Sequence, residues 1–171
     1  MKEEPSVARV ALKYGLIFGV IGSIYGILLY VFHLESNNFL PYLSFVLMVL
    51  AIVQGIKDFR NQNEGFISYG QGLSIGALVG TIMGLVSGTL NTFYITVIDS
   101  SPLSRMNDVA RERLERQGLD DAQIENALEI SQKFQSPGIL FLLGVIGSVF
   151  FAFLLSLIIA AIFQKKRPTF D

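Results

Sequence analysis

The chain has 171 residues, of which 51% are hydrophobic and 16% are charged, and its mean hydropathy is +0.53. Soluble domains carry about 25% charged residues, so a protein folded in water is the weaker interpretation. The net charge of −1 excludes the basic surface of a nucleic-acid-binding protein. The lack of cysteine excludes disulfide scaffolds, thiolate zinc sites and cysteine nucleophiles. Since there is also only one histidine, we expect no catalytic residue, no metal and no cofactor.

Four stretches without a charged residue are long enough to cross a bilayer, which takes about 20 apolar residues in a helix. They place membrane spans at residues 14–32, 39–56, 72–98 and 137–163. Hydrocarbon offers no partner for a bare peptide group, and these runs lack the alternation of barrel strands. The sequence therefore predicts an all-α, four-span transmembrane helical bundle that forms a single membrane domain over residues 1–171.

The distribution of lysine and arginine predicts the orientation of the spans. With four spans, three segments share one side of the membrane, and their cations are Lys2, Arg9, Lys13, Lys57, Arg60, Lys165, Lys166 and Arg167. The loop at residues 33–38 has no lysine or arginine. The positive-inside rule then predicts a multi-pass protein of the cytoplasmic (inner) membrane with both termini cytoplasmic. A signal peptide is the alternative for the first span, but the run is too long and lacks a small-x-small cleavage site.

Small residues recur at every fourth position in two of the spans. The third span has Gly72, Gly76, Gly80, Gly84 and Gly88, and the fourth has Gly144, Ser148, Ala152, Ser156 and Ala160. Positions four apart share one face of a helix, and small residues there let two backbones approach closely in lipid. We expect these helix-packing faces to join the third and fourth spans, with the first span nearby through its own glycine pairs. Packing within one chain is favoured, and a homo-oligomer is the alternative.

The second span lacks such a row. Its run of bulky residues at 46–50, Val-Leu-Met-Val-Leu, predicts the most lipid-exposed helix of the four.

The polar loop between the third and fourth spans predicts two amphipathic helices. Pro102 suits the first turn of a helix, Gly118 suits a helix end, and Asp120 with Gln123 resembles a capping box. We expect an extracytoplasmic helical hairpin over about residues 101–135. It is either a cap, whose apolar residues such as Leu114 and Phe134 cover the ends of the spans, or a docking surface for a protein partner.

Other candidate sites in the sequence are weak. The G-x-S-x-G pattern around Ser74 resembles a hydrolase elbow, but that elbow needs a preceding strand and a nearby histidine. Ser74 opens a predicted span, and His33 lies at the other side of the membrane. No ionisable residue lies between the predicted span ends. Gln54 and Asn91 are the polar side chains that most need a partner.

Four short stretches resemble a known family. They are GIKDFRN at residues 55–61, GFISYGQ at 65–71, QGLDDAQIE at 117–125 and SP at 136–137. Together with four spans, they look like the bacterial integral membrane family catalogued as domain of unknown function 4199. The resemblance implies the membrane architecture and brings no activity, substrate or catalytic residue.

The sequence favours an uncharacterised membrane protein that acts as a non-enzymatic scaffold or accessory subunit. Its expected partners are the lipid bilayer and a membrane or extracytoplasmic protein. The alternative is an oligomeric transporter or channel component, with a polar strip of Ser74, Thr81, Ser87 and Asn91 along its path. A membrane enzyme is disfavoured because no acid–base pair or metal set converges on one side.

Overall fold

A computed structural model describes residues 5–166 of the chain, and Lys2 and Arg167 lie outside this range. Within it the chain is helical and forms no strand. The elements in chain order are α1 (Val7–Val31), a 3₁₀ turn (Leu40–Tyr42), α2 (Leu43–Gln62), α3 (Tyr69–Phe93), its π-helical continuation (Tyr94–Ile98), α4 (Ser101–Arg116), α5 (Asp121–Lys133) and α6 (Pro137–Phe163).

Four helical segments are long and apolar enough to cross a membrane. They are Val7–Val31, Leu40–Gln62, Tyr69–Ile98 and Pro137–Phe163. Their outer surfaces expose many large apolar side chains, for example Leu142, Ile146, Ile158 and Ile162 on α6. A soluble monomer rarely exposes so large an apolar surface, and a surface of this kind is suited to contact with lipid. The predicted all-α four-span bundle is confirmed.

Local signals set several helix ends. Ser68 and Gln71 form a reciprocal capping box at the start of α3, and Asp120 and Gln123 form the predicted one at the start of α5. Each box satisfies two backbone N–H groups that the first helical turn leaves without a partner. Gly118 has a φ of +78°, a left-handed conformation that glycine adopts without strain and that ends α4.

α1 begins at Val7, well before the predicted start of the first span. Arg9 and Lys13 therefore lie on the first two turns of this helix and not in a tail. Ser6 caps the helix by accepting a hydrogen bond from the backbone N–H of Arg9. α1 extends beyond the N-terminal end of the apolar run because nothing in residues 7–13 breaks a helix. The charge pattern therefore marks the edge of the apolar stretch and not the start of the helix.

α3 is the central helix of the bundle and packs mainly against α6 and α1. The predicted exposure of the second span is wrong. In the most apolar stretch of α2, 28% of the residues are buried, compared with 22% in the corresponding stretches of α1 and α6. Its inner face reaches the core through Ala51, Ile52, Ile56 and Phe59. The run at residues 46–50 is mixed, with Val46 and Leu50 exposed and Met48 buried, so most of the burial of α2 comes from the residues that follow the run.

α4 and α5 form a polar layer that packs through a small apolar contact. Ile124 of α5 is 1% exposed, whereas Ile130 on the other face of the same helix is 52% exposed. Phe134, which the cap hypothesis places over the ends of the spans, is 56% exposed at the end of α5.

We expect the change Ile124→Ser to destabilise this layer by about 2 kcal/mol, because it removes a fully buried side chain and leaves a cavity. Hydrogen–deuterium exchange of α4 and α5 measures the effect. The matched change Ile130→Ser should cost less than about 0.5 kcal/mol. Equal exchange rates in the two variants would contradict the packing of this layer.

Candidate functional site

The predicted small-residue rows of α3 and α6 meet along their length. A Cβ built on Gly72 would lie 2.8 Å from the Cβ of Ala160, and one on Gly84 would lie 2.8 Å from that of Ser148. Cβ atoms on Gly76 and Gly80 would collide with Ser156 and Ala152. We call this contact the α3–α6 seam. A Cβ at these positions would force the two backbones apart.

The last predicted pair of the two rows, Gly88 and Gly144, is packed less closely than the others. A Cβ built on Gly88 would lie 3.2 Å from the ring of Phe141, and one built on Gly144 would meet only the Cα of Gly88, at 4.0 Å. The hydroxyl of Ser148 donates a 2.8 Å hydrogen bond to the carbonyl oxygen of Gly80 and so joins the two helices. Thus the two rows lie in close contact up to Gly84 and Ser148 and separate beyond them.

The glycines of α1 bring this helix against the other side of α3. Built Cβ atoms on Gly15 and Gly19 would lie 2.6 Å from the Cβ of Ile82 and 3.0 Å from that of Val86. Further along α1, a Cβ on Gly26 would lie 2.6 Å from the side-chain oxygen of Asn91 on α3, whereas one on Gly22 would meet no atom within 4 Å. α1 thus stays close to α3, and Gly22 faces open space.

A cavity of about 460 Å³ lies between the four long helices. It is at the end of the bundle that carries the loop between α1 and α2. All four helices contribute to it, with Gly22, Met48, Met83 and Gly147 among the lining residues. A Cβ on Gly147, as on Gly22, would meet no atom within 4 Å. These two glycines border open space, in contrast to the glycines of the seam.

The cavity has an apolar lining with a few polar groups. Ser87 and Asn91 of α3 line it, and both bond their own helix: the Ser87 hydroxyl donates to the carbonyl of Met83 at 2.6 Å, and the Asn91 amide donates to that of Ser87 at 2.8 Å. The oxygen of the Asn91 side chain faces Gly26 of α1.

Of the predicted polar strip, only Ser87 and Asn91 reach the cavity. The hydroxyl of Thr81 donates to the carbonyl of Ala77 on its own helix, and Ser74 is exposed on the surface of α3. Gln54 is also exposed. The exposed Ser74 has none of the geometry of a hydrolase nucleophile, and His33 follows α1 at the far end of the bundle.

An arginine ties α4 to the end of α1. The guanidinium of Arg105 donates three hydrogen bonds: to Glu35 Oε1 at 2.5 Å, to Ser101 Oγ at 2.7 Å and to the carbonyl oxygen of Tyr30 at 3.2 Å. We call this arrangement the Arg105 clamp. The side chain of Glu35 is 7% exposed and that of Arg105 is 26% exposed, so the ion pair is largely shielded from water.

Asp99 adds a second acid beside the clamp. Its pKa is lowered because Ser101 donates hydrogen bonds to it from its side chain and its backbone, and because Arg105 and His33 add positive charge nearby. Arg105 thus pairs directly with Glu35 and acts on Asp99 only through its charge.

Sequence reasoning missed Glu35 and Arg105. Both were assigned to polar loops on the same side of the membrane, 70 residues apart, where charged side chains are expected. The only available signal was that Glu35 is the single acid in a loop without lysine or arginine and faces a second loop with arginines. Nothing in this pattern selects Arg105 over Arg111 or Arg113.

An amide pair joins α4 to the segment between α5 and α6. Asn107 of α4 and Gln135 after α5 exchange hydrogen bonds of 3.3 and 2.7 Å. A groove of about 600 Å³ runs between α4 and α5, and Glu35, Leu114 and Leu128 line it. Among residues 5–166, no cluster of three histidine or acidic side chains is suited to a metal ion.

The stretch GIKDFRN has a structural role at the opposite end of the bundle. A Cβ built on Gly55 would lie 3.1 Å from the side chain of Ile75, so glycine permits this close approach. Phe59 is fully buried. Asp58 accepts a 2.8 Å hydrogen bond from Lys13, and Arg60 holds the following turn by donating to the carbonyl of Gly65. These residues fix the turn between α2 and α3.

One family model spans the positions described above. A family model described as "Protein of unknown function (DUF4199)" matches residues 13–165, nearly the whole chain. No curated protein and no solved structure matches the chain. The matched range contains the α2–α3 turn, the α3–α6 seam and the Arg105 clamp, and it confirms the resemblance inferred from the four short stretches. The chain is therefore a member of the DUF4199 family.

Proposed function

We propose that this protein is a non-enzymatic scaffold or accessory subunit of the cytoplasmic membrane. Both termini are on the cytoplasmic side, and α4 and α5 form an extracytoplasmic hairpin. The Arg105 clamp carries this proposal, because it joins α4 to Tyr30 and Glu35 at the end of α1. A scaffold must hold its polar surface at a fixed position relative to the bilayer. A shielded ion pair with two further hydrogen bonds supplies that rigidity.

The surface of the polar layer supports docking of a protein partner. It carries charges of both signs, with exposed pairs such as Glu112 with Arg116 and Glu129 with Lys133. Exposed ion pairs stabilise a helix by only a few tenths of a kcal/mol. Their value for a scaffold is complementarity, since charges around an apolar side chain such as Ile130 steer a partner into register.

Photo-crosslinking in native membranes tests the proposal. A benzophenone side chain at position 130 on α5 is expected to give a discrete protein adduct, because this position is exposed on the polar layer. The same group at position 162 on α6 should give lipid adducts. The protein adduct should weaken when Arg105→Ala releases the layer, and the control Arg116→Ala should preserve it.

The absence of a protein adduct at position 130, or an adduct unaffected by Arg105→Ala, would contradict the scaffold proposal. A self-adduct would indicate a homo-oligomer that uses this layer, in place of a different protein.

The cavity favours a second candidate function, a component of an oligomeric transporter or channel. Ser87 and Asn91 give it polar walls within the bundle. The opposite end of the bundle is filled by Ile52, Ile56 and Phe59, so a path across the membrane needs an opening there or a second subunit. In proteoliposomes, this candidate predicts a sodium or potassium flux above that of protein-free vesicles, reduced by Asn91→Leu.

A further inference from the structure

The cavity contains a buried acceptor without a partner. Glu35 lines the cavity, and its side chain is 93% buried, being 7% exposed. Oε1 accepts from Arg105, whereas Oε2 is buried and has no hydrogen-bond partner within the described residues. Leaving a buried acceptor unpaired is unfavourable, more so when it belongs to a charged group. A ligand that donates a hydrogen bond to Oε2 removes that cost.

The acceptor favours a cationic donor. Oε2 belongs to a carboxylate that is shielded from water, where opposite charges attract each other more strongly than in water. An ammonium group that donates to Oε2 therefore gains a charge-assisted hydrogen bond, whereas an anionic ligand would be repelled.

The remaining walls suit an apolar body with a cationic end. Aromatic rings of Phe18, Tyr30, Phe45 and Phe151 line the cavity. Ring faces attract ammonium groups and also pack against hydrocarbon. The volume of about 460 Å³ lies within the usual range for small-molecule sites, about 300–1,000 Å³.

Two glycines keep this space open although no neighbouring helix requires them. Gly22 and Gly147 line the cavity, and a Cβ on either would meet no atom within 4 Å. Glycine lowers helix stability relative to alanine. At the seam, close contact between the helices offsets the lower helix stability of glycine. Gly22 and Gly147 make no such contact, and their effect in the structure is to leave room for a ligand.

We propose that this cavity binds a molecule with a primary or secondary ammonium group on an apolar body, with the ammonium donating to Glu35 Oε2. The two sources of such a group in a membrane are a free amphipathic amine and the headgroup of phosphatidylethanolamine. The site goes beyond the scaffold role. Glu35 also belongs to the Arg105 clamp, but most of the lining residues lie on the long helices, and Gly147 tests the site without touching the clamp.

Binding of labelled phenethylamine in its protonated form tests the proposal, with the full chain in nanodiscs of phosphatidylcholine. We expect saturable binding, weakened at least about tenfold in Glu35→Gln, which loses a charge-assisted hydrogen bond. Gly147→Leu should abolish binding by filling the cavity. Propylbenzene, in which a methyl group replaces the ammonium, should not compete.

Matched controls separate the site from general effects of the substitutions. Glu125→Gln removes an acid from the exposed surface of α5, and Gly138→Leu adds the same side chain at a position of α6 with no atom within 4 Å. Both should bind phenethylamine like the unmodified chain. Should Glu35→Gln fail to fold by circular dichroism, the comparison of Gly147→Leu with Gly138→Leu decides.

The proposal is overturned if propylbenzene competes as well as the amine, or if a folded Glu35→Gln or Gly147→Leu variant binds with unchanged affinity. Adding phosphatidylethanolamine to the nanodiscs distinguishes the two sources. A lower apparent affinity for phenethylamine identifies the lipid headgroup as a ligand, and an unchanged affinity identifies a free amine.

Discussion

Replacing Gly80 of α3 by leucine is expected to destabilise the bundle by about 3 kcal/mol, the upper end of the cost of overpacking a filled core. A Cβ there would collide with Ala152 and would lie 3.1 Å from the carbonyl oxygen of Ser148. The backbones of α3 and α6 must then separate, and the hydrogen bond from Ser148 to Gly80 lengthens. Unfolding in mixed dodecyl maltoside and SDS micelles measures the loss.

Gly70 provides the control on the same helix, since a Cβ there would meet no atom within 4 Å. Gly70→Leu should leave stability unchanged or raise it by about 0.5–1 kcal/mol through the gain in helix propensity. Identical unfolding of the Gly80 and Gly70 variants would contradict a seam held by close contact.

An exchange of side chains across the seam gives a further check. Gly80→Ala alone should destabilise the chain, and adding Ala152→Gly should recover part of the loss, because the pair then again contains one methyl group. If the two changes were additive, the steric explanation would fail, since residues in contact are expected to couple.

Replacing Arg105 by alanine is expected to cost about 2–3 kcal/mol. Breaking a fully buried ion pair costs about 3–5 kcal/mol because one charge is left buried without a partner. Arg105 is 26% exposed, so water offsets part of this cost, whereas Glu35 at 7% exposure depends on its partner. The carbonyl of Tyr30 also loses a donor. Thermal unfolding in detergent and proteolysis of α4 and α5 measure the two consequences.

The pair of Arg116 with Glu112 is the matched control, because both side chains are exposed and separated by 3.4 Å on α4. Arg116→Ala should change stability by less than about 0.5 kcal/mol. The combined change Glu35→Gln with Arg105→Gln should be less harmful than Arg105→Ala, because it leaves no buried charge. Equal effects of Arg105→Ala and Arg116→Ala would show that the clamp does not hold the layer.

The sequence was sufficient for those features that depend on neighbours along the chain. Charge-free runs of sufficient length give the spans, because each peptide group in lipid must bond within its own helix. The capping box at Asp120 and Gln123 can be recognised in the sequence because its two partners are only three residues apart. Small residues at every fourth position identify a face before its partner is known.

The tertiary structure decided which faces meet and what lies between them. α2 is more buried than its run of bulky residues suggests, because the residues that follow the run pack into the core. Phe134 lies exposed although the cap hypothesis places it over the ends of the spans.

The spans, their helical form and the spacing of their small residues were thus fixed locally, by hydrogen bonding and hydropathy along the chain. The cavity and the Arg105 clamp result from the way the helices and loops pack together. The long helices leave a space beside Gly22 and Gly147, and the loop after α1 folds back so that Glu35 meets an arginine 70 residues away. Such a meeting depends on the crossing of helices and the path of loops, which short-range patterns do not encode.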